Sequence, residues 1–102
     1  MRILALLIAT ATVTACSGRP FQSFVSSGER YFAAGQYPEA VIQFQNAARI
    51  QPDSAEAQMK LGRAYAALQQ PADAAAAYEL ACTIDSGNAE ACLAAASQLL
   101  SR

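Results

Sequence analysis

A repeat constrains this chain more than any other feature. Residues 21–54 laid over residues 55–88 agree at seven positions: Gly28 with Gly62, Tyr31 with Tyr65, Ala33 with Ala67, Gln36 with Gln70, Ala40 with Ala74, Ala47 with Ala81, and Ile50 with Ile84. Phe44 also falls on Tyr78, and Glu39 on Asp73. Self-similarity at a period of 34 residues signals a stack of one supersecondary unit, because a single unit cannot bury its own apolar face.

The spacing inside the unit is helical. Phe24, Ser27, Gly28 and Tyr31 are 3, 1 and 3 residues apart and share one face. Ala40, Phe44 and Ala47 do the same on a second segment. Small residues facing small ones, with Tyr31 and Phe44 filling the flanks, predict an antiparallel pair whose backbones approach closely at Gly28. Gly35-Gln36 ends the first helix, and Pro38 sits in the first turn of the second, where its missing N–H costs nothing. Pro52-Asp53-Ser54 closes that helix and caps the next, with Glu56 in its first turn. Gln69-Gln70-Pro71 and Ser86-Gly87-Asn88 repeat the breaks. The predicted helices are 21–34, 38–50, 55–68, 71–84 and 89–101, with abundant alanine favouring an all-α chain.

These residues resemble the tetratricopeptide repeat, whose pattern is Trp-x2-Leu-Gly-x2-Tyr, then Ala-x3-Phe, Ala and a final Pro. The first copy matches at Phe24 (aromatic for Trp), Gly28, Tyr31, Ala40, Phe44, Ala47 and Pro52. The second matches at Leu61, Gly62, Tyr65, Ala74, Tyr78 and Ala81. Ser27, Gln58 and Ser86 depart from Leu, Trp and Pro respectively. A partial third unit or capping helix follows over 89–102 and carries Cys92, Ala95, Ala96 and Leu99 at the signature places. The alternative is a generic alanine-rich bundle.

The resemblance implies an all-α solenoid of about five antiparallel helices that binds other proteins. It places a groove on the first helices of the units, with Val25, Glu29 and Phe32 from the first copy and Met59, Lys60 and Arg63 from the second as candidate lining. The familiar clamp on a peptide's terminal carboxylate uses Lys and Asn where Val25 and Glu29 stand, so that clamp is absent. Lys60 and Arg63 are candidates for holding an acidic segment, Phe32 and Met59 for an apolar one. Any of the six also reads as an ordinary surface residue.

The first residues have a different logic. Met1-Arg2 precedes an apolar stretch over residues 3–13, the layout of a secretory signal peptide. A stretch of 11 residues is too short for the roughly 20 a spanning helix needs. Val13-Thr14-Ala15-Cys16 resembles the bacterial lipobox. That resemblance implies a lipoprotein signal over 1–15, cleavage before Cys16, diacylglycerol on the Cys16 thiol, and a short linker over 16–20. Acyl chains would then tie the protein to a lipid bilayer. An unlipidated cleavable signal is the alternative. Ser17 in place of Asp leans toward the outer membrane, facing the periplasm, in a Gram-negative cell.

The final segment, Ala89 to Leu100, carries one charge, Glu90, and two apolar faces. A longer array, self-association through 89–102, or simple tolerance of an alanine-rich surface would each account for it. Cys82 and Cys92 each lie five residues from Gly87. They read as small buried core residues, the reading slightly favoured, or as a disulfide across the hairpin in an exported protein.

Chemistry of other kinds finds little support. The chain has no histidine, so the usual acid–base group and zinc ligand are missing. No nucleophile has a base partner and no phosphate loop is present, so neither an enzyme nor a cofactor or metal is expected. A net charge of −1 without a basic patch argues against nucleic acid. The expected function is a membrane-anchored scaffold or adaptor for an unidentified envelope protein or peptide. The alternative is a self-associating structural unit or the front of a longer array.

Overall fold

The computed structural model describes residues 19–100. Helix α1 spans Arg19–Ala33, α2 Tyr37–Ile50, α3 Ala55–Ala67, α4 Pro71–Ile84 and α5 Ala89–Leu100. The substantial contacts join each helix to its neighbours in the chain, α1 to α2, α2 to α3, α3 to α4 and α4 to α5. That is the connectivity of a solenoid. Helices α1–α2 and α3–α4 form two hairpins, and α5 starts a third. The apolar stretch over 3–13 and Cys16 lie outside the described residues. No described helix is long and apolar enough to cross a membrane.

Helix starts alternate between two devices. Helices α3 and α5 open on side-chain caps: Ser54 Oγ accepts from the Ala57 N–H at 3.2 Å, and Asn88 Oδ1 accepts from the Ala91 N–H at 3.1 Å. Helices α2 and α4 open on Pro38 and Pro71 with no side-chain cap, since proline has no N–H to leave unpaired. The described part of helix α1 takes in Arg19 and Pro20, which the sequence assigns to a linker; the φ of proline is compatible with a helix.

The hairpin turns repeat in backbone detail. Gln36 N–H donates to the Tyr31 carbonyl at 2.9 Å, and Gln70 N–H to the Tyr65 carbonyl at 3.0 Å. Each pattern wraps a helix end around one left-handed residue, Gly35 with φ 77° and Gln69 with φ 60°. The turn was kept in the second unit while the glycine was not.

The core runs along the stack. Ala40, Val41 and Phe44 of α2 meet Leu61 and Ala64 of α3 and Ala77 of α4. Met59 of α3 meets Ala74, Tyr78 and Ala81 of α4 and Ala91 and Ala95 of α5. Phe44 is fully buried, and a Cβ on residue 28 would lie 2.6 Å from its Cδ1 and 2.9 Å from its Cζ. A Cβ on residue 62 would lie 2.7 Å from two ring carbons of Tyr78. The glycines therefore seat an aromatic ring. This differs from the expected backbone-to-backbone approach, in which Phe44 stood at the flank.

The structure joins Cys82 and Cys92 in a disulfide, with Cα atoms 5.0 Å apart. Of the two readings open from sequence, the slightly favoured pair of free core thiols gives way. The turn over 85–88 is tight enough to bring the two Cβ atoms together.

Candidate functional site

Four of the six residues expected to line a groove do meet. Glu29 and Phe32 on α1 and Lys60 and Arg63 on α3 surround a shallow hollow of about 110 Å³, with Phe44 of α2 as its floor. Residues 29 and 32 sit on one face of α1, and 60 and 63 on one face of α3, because three residues is nearly one helical turn. Phe32 is steadied by an edge-to-face contact with Tyr37, ring centroids 5.1 Å apart.

The other two expected residues are not available to a ligand. Val25 is 3% exposed and packs with Phe21, Ala47 and Ala57. Met59 is 8% exposed and sits in the core between α3, α4 and α5. Val25 is covered by Ala47 of α2 and Ala57 of α3, and Met59 by α4 and α5. Their apolar character belongs to stacking.

The cations are also not free. Lys60 Nζ donates to Glu29 Oε1 across α1 and α3. Arg63 Nη2 donates to Glu90 Oε1 at 2.9 Å across α3 and α5. Three successive first helices are thus tied by two rungs of opposite polarity. Arg63 and Glu90 are more than half exposed, so their pair contributes little to stability in salt. An acidic segment would have to displace Glu29 or Glu90 to reach these cations. What the surface offers is the half-buried ring of Phe32, packed on the core that holds Phe44 and bordered by two ion pairs.

Sequence reasoning missed Phe44 as floor, Glu90 as a third-unit contributor, and Tyr78 beneath the second rung. Burial pushes the Tyr78 phenol above its ordinary 10.0; Arg63 opposes the shift and Glu90 adds to it. Gln45 on α2 donates to the Tyr65 hydroxyl of α3 at 2.8 Å, a polar tie between the two hairpins.

No curated protein matches the chain. A family model described as tetratricopeptide repeat matches residues 26–89, more than half of the sequence. The matched span runs from mid-α1 to the first residue of α5 and takes in both glycine–aromatic seats and both left-handed turns. The family is a protein-interaction repeat, and the five helices, their order and their packing agree with it. The chain belongs to the tetratricopeptide repeat family.

Proposed function

We propose that this protein is a lipid-anchored adaptor of the bacterial cell envelope that takes an extended segment of another envelope protein on its α1–α3 face. The observation that carries the reading is the convergence of Glu29, Phe32, Lys60 and Arg63 on one hollow. A hollow this small suits a side chain or two of a bound peptide better than a whole small molecule. Charged groups of both signs at its border suit a segment with one apolar anchor flanked by polar residues. No catalytic role is assigned to any of these residues.

The location rests on two supports. Val13-Thr14-Ala15-Cys16 resembles a lipobox, with Cys16 as the acylated residue and Ser17 leaning toward the outer membrane of a Gram-negative cell. The Cys82–Cys92 disulfide suits an exported, oxidising compartment.

Two measurements test the two halves. Metabolic labelling with an alkyne fatty acid labels the wild-type protein and fails on Cys16→Ala; equal labelling of both rejects the anchor. A photo-crosslinking residue at position 32 captures a partner in cells, and the capture drops with Lys60→Glu plus Arg63→Glu. Capture insensitive to those charges rejects the groove.

A further inference from the structure

Helix α5 presents an apolar stripe that the groove does not use. Ala89, Leu93, Ala96 and Leu100 are all exposed, with Leu93 at 69% and Leu100 at 87%. Their spacing is 4, 3 and 4, so they fall within one narrow strip of the helix. Ala91 and Ala95, which pack on α4, lie on the opposite side. The disulfide from Cys92 to Cys82 fixes the rotation of α5 on α4, so the stripe is held outward.

The position of Ala96 says what does not fit there. Counting by the 34-residue period, Ala96 follows Gly28 and Gly62. Those glycines seat the rings of Phe44 and Tyr78, which a Cβ would meet at under 3 Å. At Ala96 the Cβ fills the seat. A helix bringing an aromatic ring to this place, as α2 and α4 do, would have to seat it further out than at Gly28 or Gly62.

What fits is a surface with the opposite order of large and small side chains. The stripe reads small, large, small, large. Turned antiparallel about its centre, it meets itself with Ala89 opposite Leu100 and Leu93 opposite Ala96, each leucine entering the gap over an alanine. That is the self-complementarity a two-fold interface needs, and large against small is how facing helices interdigitate. Charge permits the approach as well. The one charged residue of α5 is Glu90, which is already held by Arg63.

We infer that α5 is a homodimer contact, closing on α5 of a second copy in antiparallel register. One face of a 12-residue helix buries less than the roughly 1,200 Å² of a stable interface, so the dimer is reversible. The contact is independent of the groove reading, since none of its four residues lines the hollow.

The experiment is sedimentation equilibrium of the full chain in a density-matched non-ionic detergent with micelles in excess, over about 10 µM to 1 mM, the range expected of a small interface. The expected result is a mass rising toward twice the monomer. Leu93→Glu should weaken association at least about tenfold, and so should Ala96→Leu, which sets leucine against leucine. The swap Leu93→Ala plus Ala96→Leu restores large opposite small and should return association to within about threefold of wild type. Helical circular dichroism confirms that each variant is folded. A monomer throughout, association untouched by Leu93→Glu, or tighter association of Ala96→Leu than of wild type overturns the proposal.

Discussion

The ring of Phe44 occupies the space that a side chain on residue 28 would need. A Cβ there would stand 2.6 Å from the ring's Cδ1, well inside contact distance. Helix propensity alone would favour alanine at position 28 by about 1 kcal/mol, so the glycine is held by the ring. Gly28→Ala should therefore destabilise the protein by about 1–3 kcal/mol net of that gain. Trimming the ring with Phe44→Leu should cost stability by itself, and in that background Gly28→Ala should cost little or nothing. Urea unfolding of the four variants checks the coupling; strict additivity would mean that glycine and ring do not meet.

Gln69 holds a left-handed φ of 60° where the first hairpin has Gly35. A residue with a Cβ is strained there by about 1 kcal/mol. Gln69→Gly should raise the unfolding free energy by a few tenths to 1 kcal/mol, the gain being reduced by the greater freedom of glycine in the unfolded chain. Gly35→Ala should lower it by about 1 kcal/mol. Thermal melts of the two variants should shift in opposite directions.

The Cys82–Cys92 bond closes a short loop, with a sequence separation of 10. Chain entropy for a loop of this size gives about 2–3 kcal/mol of stabilisation. Reductant, or Cys82→Ala plus Cys92→Ala, should lower the urea midpoint accordingly. Hydrogen exchange should speed up first in α5, which packs chiefly on α4 and meets α3 through Met59 and the Arg63–Glu90 pair, while α2 and α3 stay protected. Uniform acceleration across all helices would argue that the chain unfolds as one unit.

Tyr78 gives an alkaline signature. Its folded-state phenol titrates above the unfolded value, because burial disfavours the phenolate. Its stability contribution is therefore complete below pH 10, and it declines as pH rises from there through the folded pKa. Tyr78→Phe should flatten that part of the stability profile. The profile near neutral pH should keep its shape.

Much of this was legible in the sequence, for a physical reason. The 34-residue period fixes which residues recur on each helix face, and the caps at Ser54 and Asn88 and the turns at Gly35 and Gln69 are local events. The helix limits from the end of α1 to the start of α5 accordingly fall within one residue of expectation. Val25 and Met59 were harder. Whether a residue beside the open face is covered depends on how far the next unit rotates, and that rotation is set by side chains of another hairpin. The same holds for the ion pairs. Glu29 meets Lys60 and Arg63 meets Glu90 across units, at separations that no single-helix rule addresses. The ring of Phe44 over Gly28 was half legible: the pattern named both residues as partners but not which atoms met.

Because each helix rests on the one before it in the chain, folding can proceed in the order in which the polypeptide emerges. A hairpin is complete once its second helix has appeared, and no part must wait for a segment far away. Low contact order of this kind favours rapid folding. It also bears on cysteine pairing. Cys82 meets Cys92 across a short loop, with a sequence separation of 10. Its loop-closure cost is small, so the bridge can close as soon as α4 and α5 have packed.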